Sequence, residues 1–239
     1  MRDVLTFPFN SEEMIVIASD NSGAIGEKEQ DAVQVPYETV SYYSFRVAVM
    51  ECMSAGAQPF AAAIQNFCGD DSWDQLIRGI KKGADELGLT ELQITGSTES
   101  NFNLLQSAVG LSVLGKRQGA LPSENLTYTN DTRIAVIGSP LVGQELIERE
   151  AEAAPLKLFK IINSIEEIET LPVGSKGILT ELNGLFSNRK FEVKNLESEL
   201  DLEKSSGPST CFIAVFSEAK SEEIRKLAGS YFHILKRRA

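Results

Sequence analysis

Between Thr39 and Ala57 the chain carries only two charged residues, Arg46 and Glu51, and the rest of this stretch is apolar or small. A helix with so few charges is expected to be buried on most of its sides. The helix is predicted to open at Glu38 or Thr39 and to end at Gly56, with Pro59 just beyond it as a stop signal. With 239 residues and 42% hydrophobic content, the chain can bury a core large enough to enclose it.

Composition excludes several classes of function. The formal net charge of −11 argues against broad electrostatic contact with nucleic acid or an anionic membrane. The basic end, Lys236-Arg237-Arg238, is too short to reverse this balance. No window reaches the apolar length needed to cross a bilayer, and no apolar signal core follows the first residues.

The histidine and the cysteines narrow the chemistry further. His233 is the only histidine, so a histidine-rich metal cluster is impossible and a histidine-based nucleophilic site would depend on one residue in a predicted strand. The three cysteines, Cys52, Cys68 and Cys211, are widely spaced, which suggests neither a disulfide framework nor a structural zinc site. We therefore expect a cytoplasmic protein.

The pattern of strands and helices indicates two units. In the first, strands are expected over Met14–Ser19, Phe60–Phe67, Leu92–Thr95 and Leu104–Leu114. A helix runs from Trp73 to Leu87, with N-cap chemistry from Asp70, Asp71 or Ser72 before it and Gly88 closing it. A polar stretch from 116 to 130, with Gly119 and Pro122, marks the boundary, so the predicted domains are 1–118 and 130–239. The second unit has strands at Arg133–Ile137, Cys211–Phe216 and Tyr231–Leu235, and helices at Gln144–Ala153 and before Gly229.

Asp20 is the first candidate for chemistry. It is predicted to stand at the end of a buried strand, followed by Gly23 and Gly26, where backbone N–H groups can approach phosphate oxygens closely. A simple turn explains the same residues. The glycine spacing matches neither the P-loop nor the Rossmann fingerprint.

Glu51 is the second candidate. A carboxylate on a buried helix needs a cation or a metal as partner, since an unpaired charge in a dry interior costs several kcal/mol. Alternatively, Arg46 and Glu51 project along a narrow solvated stripe.

The turn from Thr95 to Asn101 is the third candidate. Glu99, Ser97 and Asn101 offer the oxygen ligands that Mg²⁺ prefers. A plain hairpin turn explains these residues equally well. For Asp70 and Asp71, helix capping is the favoured interpretation.

The order of these features resembles the aminoimidazole ribonucleotide synthetase-like superfamily of ATP-binding proteins. Its helix signature, Asp-x-x-Ala-Met-Gly-Ala-x-Pro, aligns Glu51 with the metal-binding aspartate and residues 56–59 with the ending. Its Gly-Gly-Asp turn falls on residues 95–97. Within the superfamily, the stretch from Asp20 to Gly26, the turn at 97–99 and the short chain look most like the α-ribazole kinases of cobalamin lower-ligand salvage.

Two departures from the family pattern stand out. Ser97 occupies the place of the aspartate in Gly-Gly-Asp, so a metal ligand would have moved to Glu99. The second half lacks the family's Asp-x-Ser-Asp-Gly-Gly segment and has only Gly174-Ser175-Lys176-Gly177 in its neighbourhood.

The resemblance implies an α+β fold, with an antiparallel sheet backed by helices in the N-terminal domain and a smaller α/β C-terminal domain. It also implies a homodimer whose paired sheets form a barrel, with ATP near the interface and Mg²⁺ beside its phosphates. The implied Mg²⁺ ligands are Asp20, Glu51 and Glu99. The residues expected to contact the cofactor are Gly23, Gly26, Lys28, Ser97 and Asn101. Asp20 or Asp31 would accept the proton of the substrate hydroxyl.

The expected activity is ATP-dependent phosphorylation of a small nucleoside-like alcohol, with α-ribazole as the specific candidate and ADP as the second product. Phosphoryl transfer needs positioning and charge neutralisation more than covalent chemistry, so a site without histidine suffices. Two alternatives stay open. One is a synthetase of the same superfamily that activates a carbonyl oxygen, and the other is a non-catalytic nucleotide-binding module.

Overall fold

A computed structural model describes residues 3–119 and 125–238. Contacts divide the chain into two compact units. We call the described parts the N-terminal unit (3–119) and the C-terminal unit (125–238). Part of the predicted boundary stretch, residues 120–124, lies outside the described residues.

The N-terminal unit contains a five-stranded sheet and two long helices. Its strands and helices are β1 (Val4–Pro8), β2 (Glu13–Gly23), β3 (Ile25–Gly26), β4 (Val33–Gln34), α1 (Tyr37–Ser54), β5 (Gln58–Asn66), α2 (Trp73–Glu86), β6 (Gln93–Thr98) and β7 (Ala108–Gln118). The large sheet has the order β1-β2-β7-β5-β6, and β3 and β4 form a small parallel pair. All neighbours in the large sheet are antiparallel except β5 and β6, which are parallel because α2 crosses over between them.

Helix α1 is buried as its lack of charge predicts. It packs on one face of the sheet and against α2, and most of its residues are buried, including Arg46. Burial lowers the pKa of Arg46, while the nearby Tyr42 and Tyr43 and the carboxylate of Glu86 oppose that shift. Arg46 therefore lies in the interior and not on a solvated stripe.

Helix α2 follows its predicted helical spacing and ends as expected, with Gly88 in the left-handed conformation just after it. Its start differs from the expectation, because no side chain caps it and a 3-10 turn at Asp70–Ser72 leads into it. The Ser72 hydroxyl instead donates to the carbonyl of Gly69, at 2.7 Å. A Cβ at Gly79 would collide with the α1 backbone at Glu38, so this glycine permits close helix-helix approach.

The strands β2 and β7 differ most from their predicted bounds. β2 continues through Asp20 to Gly23, because each residue from Glu13 to Gly23 pairs with β7. The prediction that Asp20 ends its strand is therefore wrong, since polar residues extend the ladder at this edge of the core. β7 begins at Ala108 and not at Leu104, and it runs on to Gln118, inside the predicted boundary stretch.

The C-terminal unit is an α/β arrangement around a four-stranded sheet. Its strands and helices are β8 (Thr132–Ile137), α3 (Gln144–Glu148), α4 (Leu156–Asn163), β9 (Glu169–Pro172), α5 (Gly177–Leu185), β10 (Leu196–Glu197), β11 (Phe212–Ser217), α6 (Ser221–Ala228), β12 (Phe232–Ile234) and β13 (Lys236–Arg237). The main sheet has the order β12-β8-β11-β9, and β10 pairs with β13. The sequence analysis did not predict α4, β9, α5, β10 and β13 of this unit, nor β1 and β3 of the N-terminal unit.

Both faces of the main sheet in the C-terminal unit are covered. One face carries Ile134, Val136, Ile213 and Val215, which pack into a cluster with side chains from α5 and from the segment after it. The other face carries Phe212, which makes an edge-to-face contact with Phe159 of α4. No helix among the described residues is long and apolar enough to cross a membrane.

Candidate functional site

Most of the predicted site residues of the N-terminal unit collect at one end of the large sheet. β2 and β6 both reach this end, and β7 starts from it. Three stretches lie here: the end of β2 with the loop after it, the end of β5, and the turn after β6. They carry the candidates Asp20, Gly23, Gly26, Lys28, Asp31, Ser97, Glu99 and Asn101.

Asp20 lies on the face of β2 that α1 covers. Its carboxylate accepts hydrogen bonds from the Ser44 hydroxyl on α1 and from the backbone N–H of Asn21. Burial raises the pKa of Asp20 to about 6, although both hydrogen bonds oppose the shift. A carboxylate with a pKa near neutrality is well suited to accept and release a proton.

Glu51 lies away from this end of the sheet. It follows Ser44 by seven residues along α1, a rise of about 10 Å. A Cβ at Gly115 of β7 would lie 2.5 Å from the sulfur of Cys52, the residue after Glu51. Gly115 is four residues along β7 from Leu111, the partner of Asp20, which corresponds to about 14 Å of strand. The structure does not bring Glu51 and Asp20 together.

Glu99 stabilises its own turn. Its Oε1 accepts the backbone N–H groups of Asn101, at 2.7 Å, and of Phe102, at 3.2 Å. β6 is separated from β2 by two strands, so Glu99 and Asp20 are at least about 14 Å apart across the sheet. Ser97 and Asn101 are exposed.

The three predicted Mg²⁺ ligands therefore do not meet. Within residues 3–119 and 125–238, no group of three histidine, cysteine, aspartate or glutamate side chains is arranged to hold a metal ion. Mg²⁺ binds at about 2.0–2.1 Å from its oxygens, which the separations of Asp20, Glu51 and Glu99 do not allow for one ion. These residues do not fit a preformed site built from three carboxylates.

Asp31 is the centre of a buried polar cluster. Its carboxylate accepts the backbone N–H of Ser107 at 2.7 Å, the hydroxyl of Ser107 at 2.7 Å and the backbone N–H of Lys28 at 2.9 Å. Burial alone would raise the pKa of Asp31, but these hydrogen bonds lower it below its ordinary value. Between the two predicted bases, Asp20 is thus the more basic carboxylate, and Asp31 ties its loop to the start of β7.

Lys28 is engaged in the same loop. Its ammonium donates to the backbone carbonyls of Phe67 at 3.2 Å, Leu104 at 2.9 Å and Gln106 at 3.4 Å. An ammonium has three donors, and these carbonyls use all of them. In this conformation Lys28 fastens two loops together, and a phosphate would have to displace one of those carbonyls.

The two glycines of the predicted phosphate loop differ. Gly26 has a φ of +155°, and a Cβ there would lie 2.5 Å from the Ser107 hydroxyl and 2.7 Å from the ring of Tyr37. Gly23 is exposed, and a Cβ there would meet nothing within 4 Å. Gly26 is therefore a packing requirement, whereas Gly23 is open to a ligand.

Sequence reasoning missed four residues that build this end of the sheet. Ser44 contacts Asp20, and Tyr37 bonds the Ser107 hydroxyl at 3.0 Å. Asn66, at the end of β5, donates to the Gly69 carbonyl and to the Thr98 hydroxyl. Of these residues, only Ser44 could have been found from the sequence, because it is a small polar residue inside an apolar helix.

The fold has counterparts of known structure. T. maritima PurL complexed with ADP superposes with a TM-score of 0.63 at 12% identity, covering 100% of this chain and 42% of that chain. The HypE-HypF complex gives a TM-score of 0.63 at 13% identity, over 97% and 86% of the two chains. AaThiL complexed with AMPPCP and TMP gives 0.60 at 11% identity, over 99% and 84%.

This chain has the PurM-like fold. The predicted fold class, α+β with sheets backed by helices, is confirmed. The chain spans less than half the length of the PurL chain but most of the HypE and ThiL chains. No family model and no curated protein matches the sequence. At 11–13% identity the similarity concerns the fold.

Proposed function

We propose that this protein is an ATP-dependent phosphotransferase that phosphorylates the hydroxyl of a small nucleoside-like molecule, with α-ribazole as the specific substrate and ADP as the second product. The observation that carries the proposal is Asp20, a half-buried carboxylate with a pKa of about 6 on β2, the strand that ends in open backbone at Gly23. Its support is the fold, which relatives complexed with ADP, ATP and AMPPCP share.

In the proposed reaction Asp20 is the general base. It accepts the proton of the attacking hydroxyl while Ser44 holds the carboxylate in place. The γ-phosphorus forms a bond to the substrate oxygen, and its bond to the β–γ bridging oxygen breaks, leaving ADP. Asp31 has a positioning role, because its hydrogen bonds to Ser107 and Lys28 hold the loop that follows Gly23.

We propose that Mg²⁺ binds together with the nucleotide. When bound to ATP it neutralises phosphate charge, and phosphates and water supply most of its ligands. One carboxylate from the protein would then complete the ligands of Mg²⁺. Asp20, Glu51 and Glu99 therefore do not have to meet. The exposed Gly23, Ser97 and Asn101 are the proposed contacts of the nucleotide.

We also propose a homodimer formed through the face of the large sheet opposite α1. Leu5 and Phe7 of β1 lie on the face opposite α1, and they are 62% and 42% exposed. They stand beside Ile17 and Ile15 of β2, which makes this face apolar over two strands. A second copy of the sheet is a chemically matched partner for such a face.

A synthetase of the same fold is the second candidate. It is favoured by the similarity to T. maritima phosphoribosylformylglycinamidine synthase II, at a TM-score of 0.58 over 99% of this chain. Such an enzyme releases the transferred phosphate, whereas a kinase leaves it on the substrate. Product analysis therefore separates the two.

The test is a screen for ADP release with Mg²⁺ and ATP across α-ribazole, ordinary nucleosides, thiamine phosphate and selenide. The proposal expects ADP and a phosphorylated nucleoside in equal amounts, most rapidly with α-ribazole. Free phosphate in place of a phosphorylated product would favour the synthetase. Nucleotide binding without turnover on any compound would favour a non-catalytic module.

A further inference from the structure

A cleft of about 360 Å³ opens at the β12 edge of the main sheet in the C-terminal unit. β12 has three residues and pairs only with Ala135–Ile137 of β8. After Leu235, whose N–H donates to the Ile134 carbonyl at 2.9 Å, the chain turns away to pair as β13 with β10. The first residues of β8 are therefore not covered by β12, and the cleft lies beside them.

The floor of the cleft is apolar and partly aromatic. Ile134, Phe191, Leu196 and Leu235 line it and belong to the buried cluster on this side of the sheet. Tyr128 adds a ring in edge-to-face contact with Phe191, at 5.7 Å between centroids. A volume above 300 Å³ with such a floor is typical of small-molecule sites.

The rim of the cleft is basic. Arg133, Arg225, Lys236 and Arg237 line it, and among the described residues the one acidic side chain in the lining is Glu218, which pairs with Arg133. The other three basic side chains form no ion pair with any residue of 3–119 or 125–238. In a chain with 34 acidic and 23 basic residues, three basic side chains without acidic partners in one cleft indicate an anionic ligand.

Two guanidinium groups are held against aromatic rings that line the cleft, and of the two only Arg225 lines the cleft itself. Arg225 lies over Phe232, with 4.7 Å between the guanidinium carbon and the ring centroid. Arg189 lies over both Tyr128 and Phe191, and its buried Nε has no hydrogen-bond partner among the described residues. A stacked guanidinium keeps its N–H edge available for phosphate oxygens.

We propose that this cleft binds a nucleotide-like ligand, with its phosphate on Arg225, Lys236 and Arg237 and its aromatic ring on the floor near Phe191. The site belongs to the C-terminal unit alone and goes beyond the proposed function, which uses the N-terminal sheet. The cleft lies at the β12 edge of the main sheet. The segment Gly174–Gly177 follows β9, which forms the opposite edge of that sheet.

The test is isothermal titration calorimetry of the full chain with AMP, ribose 5-phosphate, adenosine and inorganic phosphate. AMP is expected to bind most tightly, and its affinity should fall as salt is added because the rim contacts are ionic. Arg225→Glu and Arg237→Glu are each expected to weaken AMP binding by about tenfold or more. Both positions belong to the C-terminal unit, so a loss of AMP binding in these variants tests the cleft separately from the proposed active site.

Matched controls come from the neighbouring residues. Lys226→Glu and Arg238→Glu remove the same charge next to each test position, but neither residue lines the cleft, so AMP affinity should stay at the wild-type value. Equal losses in the controls and the test variants would overturn the proposal, because general charge would then explain binding. Undetectable AMP binding, or equal affinity for AMP and inorganic phosphate, would overturn it as well. Thermal unfolding of each variant verifies that it is folded.

Discussion

The Asp20 carboxylate on β2 accepts a hydrogen bond from the Ser44 hydroxyl on α1. This contact joins a strand residue to a helix residue beside the end of the sheet where most candidate residues gather. Burial keeps the pKa of Asp20 at about 6 in spite of that hydrogen bond. Asp20 thus has the basicity that proton transfer requires.

The pH dependence of turnover follows from this contact. Because Asp20 must be ionised to act as a base, kcat/KM is expected to rise with pH through about 6 and then level off. The Ser44 hydrogen bond lowers the pKa, so Ser44→Ala should move the acidic limb to higher pH. Initial rates from pH 5 to 8 measure the shift. Ser41→Ala, one turn earlier on α1, is the control and should leave the limb in place.

Ionisation of Asp20 should also affect stability. Turnover is expected to rise as pH rises through 6, whereas the contribution of Asp20 to stability should fall. The pKa of Asp20 is raised from 3.8 in the unfolded chain to about 6 in the folded one, so the folded state binds the proton more tightly. Its contribution to stability is present below pH 4 and is lost as pH rises through 6. Asp20→Asn should therefore gain stability relative to wild type between pH 4 and pH 7.5, by up to roughly 3 kcal/mol. Urea unfolding of both proteins at pH 4 and at pH 7.5 measures the gain. If the free energies of unfolding of Asp20→Asn and wild type differed by the same amount at both pH values, the prediction would be contradicted.

The two glycines of the loop should behave differently. Gly26→Ala forces a Cβ against the Ser107 hydroxyl and the Tyr37 ring at a positive φ, and it should lower the free energy of unfolding by about 1–3 kcal/mol. Gly23→Ala meets open space and should change it by less than about 0.5 kcal/mol. Denaturant midpoints distinguish the two. Equal losses would show that the loop packs otherwise than described.

The dimer prediction concerns the face of the large sheet opposite α1. Placing glutamates at Leu5 and Phe7 buries two carboxylates in the proposed interface, so Leu5→Glu with Phe7→Glu should give a monomer. Light scattering after gel filtration measures the mass. Ile147→Glu on α3, also an exposed apolar position, is the control and should stay dimeric. A wild-type chain that is monomeric at micromolar concentration would remove the dimer from the proposal.

Much of the fold was predictable from local patterns in the sequence. α1 was predictable because its lack of charge required burial, and α2 because of its helical spacing and Gly88. The end of β2 was not, since Asp20-Asn21-Ser22-Gly23 has the composition of a turn and is held extended only by pairing with β7. That pairing joins residues some ninety positions apart, which local composition does not encode.

The sequence pointed to residues that gather at one end of the large sheet, but it did not predict the contacts that they make there. Asp31 looked like a free loop carboxylate because its partner Ser107 is 76 residues away. Lys28 looked like a phosphate ligand because the carbonyls that bind it belong to other loops. Glu51 was placed with Asp20 through a family signature, whereas the rise of the helix separates the two.

The central claim is that Asp20 is the base of an ATP-dependent phosphoryl transfer. The most direct test is kcat of wild type and Asp20→Asn with α-ribazole, ATP and Mg²⁺, measured as phosphorylated product, with α-ribazole and ATP affinities determined alongside. We expect kcat to fall by about 100-fold or more with little change in either affinity. An Asp20→Asn variant that turns over at the wild-type rate would contradict it.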